Sequence, residues 1–386
     1  MNVAIDLTQI PADKTGIGIY AVNLVREIVR LNNACGEFNF YFFAQDDDEE
    51  WRELIKHSST KCHLIPTRST VFRKLIFRFF FEQVLLPGKC KKLGIHVIYS
   101  FHYTIPYLTR IKRVVTIPDM TFYLFPRLHR KIKRLYFKSL IPLSLKKSHQ
   151  IVSISVSTKN DLIKRFSYIN PDKVKVIHLG VDVSQSPDRS KEYLEKYGLK
   201  ERKYFLFIGT LEPRKNIPNI IEAFYHIITT GKYYRDHYKL VIAGKKGWFY
   251  EKIFKTVEKY HLEESVIFTG YVGGEEKQSL LAHAFLFVYP SFYEGFGLPV
   301  LEAMAYGVPV ITGNVSSLPE VAGDAALLID PHHWQEISAA MLKLLSQRNL
   351  YEKLSKQGLV QARKFSWQRT AEKTLALFKS LTTVDS

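Results

Sequence analysis

Two carboxylates eight residues apart, Glu294 and Glu302, bracket most of the string at residues 290–304, PSFYEGFGLPVLEAM, where the chain concentrates its chemistry. Gly295 and Gly297 lack a Cβ and let the backbone bend sharply between a strand and a helix. Pro299 stands at the helix start, where its missing N–H is harmless. A glycine-bearing loop entering a helix aims N–H groups outward with the positive helix end behind them. The Gly295–Phe296–Gly297–Leu298 backbone is therefore suited to a phosphate. Glu302, on the first helical turn, is placed to accept hydrogen bonds from the two ribose hydroxyls of a nucleotide. Glu294 would face whatever the phosphate carries. A second centre is Arg214-Lys215, which follows a turn opened by Gly209. A planar fork and a point charge side by side can neutralise a diphosphate. A third is Gly16-x-Gly18, which lacks the last glycine of the dinucleotide fingerprint and an acidic residue at the expected distance. It reads equally as a tight turn. On spacing alone each centre has a plain structural reading, since strand–glycine–helix turns are common in α/β proteins.

Positioning these groups requires alternating strands and helices. Strands are expected at residues 3–7, 38–44, 94–100, 113–117, 150–154 and 173–178. The first helix follows from Ile17, Tyr20, Ala21, Leu24, Val25, Ile28 and Leu31, which recur at helical spacing; others are expected over 127–147 and 157–166. A polar stretch at 183–203 reads as a linker with a short helix. The alternation then restarts, with strands at 204–208, 240–244, 266–269, 285–289, 308–312 and 326–329. Helices are expected over 217–229, 301–306, 316–322 and 334–345, and a last one from Phe365 to Leu381. This predicts two α/β domains, 1–182 and 204–365, with 366–386 as a terminal helix. Strand-end loops are where open α/β sheets hold ligands. SFHYTIP at 100–106 is one, and those after Gly244 and Gly270 could sandwich a nucleobase. The acidic run 46–50 reads as a solvated loop, because five adjacent acids cannot all converge on one ion.

The string around Glu294 and Glu302 resembles the E-x7-E motif of retaining glycosyltransferases of family four, which have the GT-B fold. Ser291, Glu294, Gly295, Phe296, Gly297, Pro299, Glu302, Ala303, Gly307, Pro309 and Val310 carry the likeness. G-T-x-E-P-R-K-N at 209–216 resembles the diphosphate-binding turn of the same enzymes, matching Arg214 and Lys215. The likeness is strong from Tyr204 to Leu381 and more scattered before Asp182. It implies two Rossmann-like domains facing a cleft, with the C-terminal helix crossing back to the first. The Gly16-x-Gly18 turn would face the donor phosphates, Asp119 would lie in a loop touching the transferred sugar, and Gly180-Val181-Asp182 would end the first domain. The family usually has a histidine before that aspartate; here it is Pro118, so no histidine role is carried over. His102, on a neighbouring loop, is a substitute or an ordinary polar residue. The implied activity is retaining transfer from a nucleotide-sugar. GDP-mannose is the first donor candidate, with UDP-glucose and dTDP-rhamnose open. No metal or other cofactor is expected, because the cations take that role.

The net charge of +18 is local: residues 51–150 hold 21 Lys/Arg against 3 Asp/Glu. Such a basic half implies an anionic partner. Within it, VFRKLIFRFFFEQ at 71–83 places Phe72, Leu75, Ile76, Phe79 and Phe80 on one helical face and Arg73, Lys74 and Arg78 opposite. Phe77 and Phe81 project among the cations. A basic helix with inserted aromatics suits a membrane interface; burial of both phenylalanines is the competing reading. The continuation 81–87 resembles an E-Q-x-x-L-P string of the same enzymes and favours burial for Phe81. Scattered cysteines, the absence of a leader pattern and the absence of an 18-residue apolar run point to a cytoplasmic protein, peripheral on the inner face of the membrane. The expected acceptor is a lipid-linked glycan bound by the first domain. Two rival classes are a nucleotide-sugar epimerase using the same phosphate cradle and a nucleic-acid-binding protein. The second has only charge in its favour, and nothing matches a nucleic-acid motif.

Overall fold

The computed structural model describes residues 1–10, 14, 16–56, 58, 61–68, 75–182 and 191–381. The chain forms two compact units, residues 1–180 with 366–386, and residues 181–365. The first is built on a sheet of seven strands: β1 (Asn2–Asp6), β2 (Asn39–Gln45), β3 (Cys62–Thr67), β4 (Val97–Ser100), β5 (Lys112–Ile117), β6 (Gln150–Ser153) and β7 (Val174–Val176). Their order is β3-β2-β1-β4-β5-β6-β7, with every pairing parallel. The second holds β8 (Tyr204–Ile208), β9 (Lys239–Ala243), β10 (Val266–Gly270), β11 (Leu286–Tyr289), β12 (Val310–Gly313) and β13 (Ala326–Ile329). Their order is β10-β9-β8-β11-β12-β13, again parallel. Parallel strands are covered by crossover helices on both faces and so read as continuous apolar runs. YFLFI of β8 is buried at all five positions.

Elements with weak patterns are those the sequence did not announce. The edge strand β3, CHLIPT, is only half-buried and carries Pro66, which an edge tolerates. Helices Glu49–Lys56, Glu251–Lys259, Gly274–His283 and Arg348–Ala362 are likewise additions. The acidic run is not a solvated loop. Glu49 and Glu50 open a helix, and Asp48 is buried in an ion pair with Lys14. That pair ties the segment after β1 to the end of β2.

Helix Trp367–Ser380 belongs to the first unit and packs against helix Ile17–Cys35. The Tyr20 and Trp367 rings stack at 6.3 Å, and Thr370 donates to the His178 carbonyl at 2.8 Å. A Cβ at Gly180 would stand 2.1 Å from the Trp367 nitrogen, so this approach requires glycine.

The phenylalanine-rich segment is described from Leu75; Phe72, Arg73 and Lys74 lie outside the described residues. It runs as helix Leu75–Phe80 and a π-helical turn Phe81–Leu85. Its apolar face points outward, with Ile76 73% and Phe80 52% exposed, and Phe77 from the other face is exposed as well. Arg78 turns inward, donating to the Gln9 side chain, and Phe81 joins the core with Ala4, Phe43 and Leu86. Of the two readings, burial therefore holds for Phe81 and not for Phe77, and the guanidinium of Arg78 finds polar partners inside. No helix among the described residues is long and apolar enough to cross a membrane.

Candidate functional site

In the second sheet, β8 and β11 are neighbours from which the chain winds in opposite directions, the switch point where open α/β sheets bind ligands. The turn after β8 carries Arg214 and Lys215, and the loop after β11 carries Glu294. Local sequence builds the turn. Pro213–Lys215 is one 3-10 turn, and Asn216 closes it at φ 58, a left-handed conformation that asparagine tolerates. Asn216 donates to the Pro290 carbonyl at 3.2 Å, and the Phe292 N–H to the Arg214 carbonyl at 2.9 Å, which locks the two loops together.

The two cations and Glu294 meet there. Glu294 Oε2 accepts from Arg214 Nη1 at 2.8 Å, and Oε1 from Lys215 Nζ at 2.7 Å. Arg214 also donates to Glu212 Oε1 at 2.6 Å and to the Tyr293 carbonyl at 2.5 Å. Lys215 donates to the Tyr289 hydroxyl. Glu212, Lys215 and Glu294 are all buried. Burial alone would raise the Glu294 carboxyl; the Arg214 and Lys215 charges overcome it and hold it at about 2. Lys215 is lowered by burial and by Arg214, against the pull of Glu294. The sequence reading did not assign Glu212, Tyr289 or the Tyr293 carbonyl. Glu212 had a local signal, a carboxylate two residues before the arginine; Tyr289, 74 residues from its lysine, had none.

The loop after β11 is fixed from behind. Ser317 donates to the carbonyls of Glu294 and Phe296 at 2.9 and 2.7 Å, and the Glu294 N–H donates to Ser316. Gly295 is buried, and Phe296 packs edge-on against Phe365. Gly297 takes φ 109 and caps a helix that begins at Leu298 and runs to Ala305, three residues earlier than expected at its start. Glu302 consequently lies on the second helical turn, not the first. It pairs with Lys277 of helix Gly274–His283 at 2.6 Å, a partner the sequence did not indicate. Gly209 donates to the Ala243 carbonyl, and a Cβ there would press on the Phe207 ring at 3.1 Å.

Gly16, Gly18 and Asp119 belong to the first unit. Gly16 (φ 50) precedes helix Ile17–Cys35, and Gly18 is buried in its first turn. Asp119 Oδ1 accepts from Tyr103 Oη at 2.6 Å and from the Thr121 N–H and hydroxyl at 2.8 and 2.6 Å.

Residues 14–185 match the family Glycosyltransferase Family 4, and residues 189–360 match Glycosyl transferases group 1. The chain is 37% identical over 276 residues to O-antigen chain mannosyltransferase B of Escherichia coli, covering 70% of this chain and 71% of that one. It is 35% identical over 238 residues to the serotype-specific mannosyltransferase WbdA of Escherichia coli, spanning 60% of this chain but 29% of the relative. Among solved structures, Anabaena HepE in complex with UDP and glucose superposes with a TM-score of 0.76 over 98% of this chain and all of that one. At 15% identity that likeness concerns the fold.

Proposed function

Because the chain belongs to glycosyltransferase family 4, with the two Rossmann-like units of the GT-B fold, we propose that it transfers mannose from a nucleotide-sugar to a lipid-linked glycan in surface-polysaccharide assembly. GDP-mannose is the first donor candidate, and the anomeric configuration is retained. The supporting observation is the buried Arg214–Glu294–Lys215 cluster at the second unit's switch point. The barrier to transfer lies in the departure of a nucleoside diphosphate from an oxocarbenium-like carbon. Two fixed cations and the backbone at Gly295–Leu298 stabilise the charge that develops on the leaving group, and preorganised groups of this kind supply most of the acceleration in many enzymes. Glu294 holds both cations in place and orients the sugar hydroxyls. Glu302 takes the ribose hydroxyls. Asp119, whose Oδ1 accepts from three donors, is assigned to the transferred sugar on the family resemblance. The acceptor proton passes to a phosphate oxygen in a front-face displacement.

The reaction proceeds without metal, the cations supplying the positive charge, so chelation by EDTA leaves the rate unchanged. Incubation with donor alone tests the rival class: an epimerase returns an altered nucleotide-sugar, a transferase only hydrolyses it. The decisive experiment is mannose transfer from GDP-mannose to a lipid-linked glycan, with product linkage read by NMR. An inverted anomer, or transfer from none of the GDP, UDP or dTDP sugars, refutes the reading.

The same reading places the protein on an anionic membrane surface. Ile76, Phe77, Phe80 and Val84 form an exposed apolar stripe on the first unit. Ile132 (75% exposed), Leu135 (71%) and Leu143 form another on helix Lys131–Lys147, flanked by Lys131, Lys133, Arg134 and Lys138. Apolar stripes edged by cations match the boundary between headgroups and acyl chains. Flotation with anionic vesicles at low salt should carry the protein upward; protein left at the bottom of the gradient refutes this placement.

A further inference from the structure

Helices Gly274–His283 and Leu298–Ala305 follow β10 and β11, so both begin at the carboxyl ends of parallel strands, the end that also carries Arg214 and Lys215 after β8. Lys277 stands in the first turn of one helix and Glu302 in the second turn of the other. Lys277 Nζ donates to Glu302 Oε1 at 2.6 Å, and the two side chains are 21% and 17% exposed. Glu302 lies four residues past Leu298, about 6 Å along the axis at 1.5 Å per residue. A nucleotide whose phosphates rest on that helix start therefore brings its ribose level with the pair.

Three observations set this pair apart from an ordinary surface contact. First, Lys277 is the one hydrogen-bond partner of Glu302 among the described residues, and the bond takes a single carboxylate oxygen. Glu294, by contrast, is closed on both oxygens by Arg214 and Lys215. Glu302 Oε2 keeps its accepting capacity, on a carboxylate whose direction is fixed. Second, Lys277 sits where a cation is unfavourable. The first turn of a helix favours acids, as its neighbours Glu275 and Glu276 illustrate, and a lysine there opposes the dipole. The helix gains nothing from it. Third, both side chains are largely covered. Exposed pairs gain little because two long side chains must give up their freedom to hold one geometry; here the surroundings hold it for them.

We infer that Lys277 is a positioning residue that aims Glu302 at two adjacent hydroxyls, so that the second unit takes ribonucleoside diphosphates and rejects their 2′-deoxy counterparts. A carboxylate accepts hydrogen bonds and donates none, so its natural partners are hydroxyl donors. The ribose 2′ and 3′ hydroxyls are neighbours that one aimed carboxylate can meet together, and a deoxyribose offers only one of them. Sugars carried on dTDP are thereby excluded as donors, and those carried on GDP or UDP are kept. This inference rests on the nucleotide-sugar reading and narrows its donor class.

The test uses the full-length protein with GDP, UDP and ADP, each against its 2′-deoxy counterpart, titrated calorimetrically. The variants are Lys277→Met, Glu302→Gln and the double substitution. The readout is the ratio of deoxy to ribo Kd, in which any general attraction of the ammonium for the diphosphate cancels. For the base that binds, the wild type should prefer the ribo form by about tenfold or more, the worth of one hydrogen bond to a charged group. Lys277→Met should cut that preference to under about threefold, chiefly by weakening the ribonucleotide. In the Glu302→Gln background Lys277→Met should change the ratio no further, because the lysine acts through the carboxylate. The Lys277→Met thermal midpoint should fall by no more than about 2–4 °C. A lysine with only a structural role would shift the midpoint and leave the ratio alone. A wild type without ribo preference overturns the inference, as does a Lys277→Met protein that weakens both forms equally. Nucleotide binding without discrimination leaves the nucleotide-sugar reading standing; binding of none of the six probes removes that reading and this inference together.

Discussion

Replacing Glu294 with glutamine removes the carboxylate that pairs with both Arg214 and the buried Lys215, while Glu212 still pairs with Arg214. The Glu294 carboxyl moves from an ordinary 4.5 to about 2 on folding. At 1.36 kcal/mol per pKa unit that corresponds to roughly 3 kcal/mol of stability at pH 7. Breaking a buried ion pair by removing one partner costs about 3–5 kcal/mol, which is consistent. All three side chains are at most 16% exposed, so solvent screening reduces these figures little. For a unit of this size, each kcal/mol shifts the melting point by about 2–4 °C, so Glu294→Gln should lower the second unit's transition by roughly 6–12 °C. The sign with pH follows from the lowered pKa. The stabilisation is fully present above 4.5 and is lost as pH falls towards 2. Urea unfolding at pH 7 and pH 3 should therefore show the gap between wild type and variant narrowing by roughly 2 kcal/mol. A gap under about 1 kcal/mol at pH 7, or one that does not narrow in acid, refutes the claim that this carboxylate is held ionised by both cations.

Glu82→Gln should show the opposite trend. Burial, opposed by Arg78, raises Glu82 to about 7, so the wild type loses up to roughly 3 kcal/mol between pH 4.5 and 7 that the neutral glutamine does not. Urea curves at pH 5 and pH 8 should move in the variant's favour at the higher pH. Gly244→Ala places a Cβ 1.9 Å from the Gly209 carbonyl oxygen, so the turn that carries Arg214 must shift. Calorimetry should show a loss of more than about 2 kcal/mol, and titration a weaker hold on nucleotide. A nucleotide at about 100 times its Kd adds roughly 2.7 kcal/mol to the folded state. Thermal scans with GDP, UDP, dTDP and ADP should identify one stabilising base, and Glu302→Ala should abolish that shift. Phe77→Asp, at an exposed position, should leave the melting point unchanged and reduce flotation with anionic vesicles.

The parts of this fold that were legible beforehand are those written locally. The apolar runs that became β8, β9 and β11 are buried on both faces, and such strands need no distant partner to be recognised. The turns at 209–216 and 290–297 could be read because their glycines, prolines and charges act within a few residues of themselves. The edge strand β3 and the helix Gly274–His283 were not legible, since neither carries a clean apolar period.

Which groups meet was decided by tertiary structure. Glu294 and Lys215 are 79 residues apart, and nothing in their neighbourhoods shows that the carboxylate closes on both cations. Lys277 reaches Glu302 only because a crossover helix sets it there. The phenylalanine-rich segment shows the limit most clearly. Its sequence displays an apolar face and a basic face but not which one the protein buries. The choice fell to the partners available inside, where Gln9 accepts from Arg78 and leaves Ile76 and Phe77 in water. Local pattern determines whether a segment can be a helix or a strand, because backbone geometry is set within a few residues. Burial and charge pairing are set by distant groups, and only the folded chain brings those together.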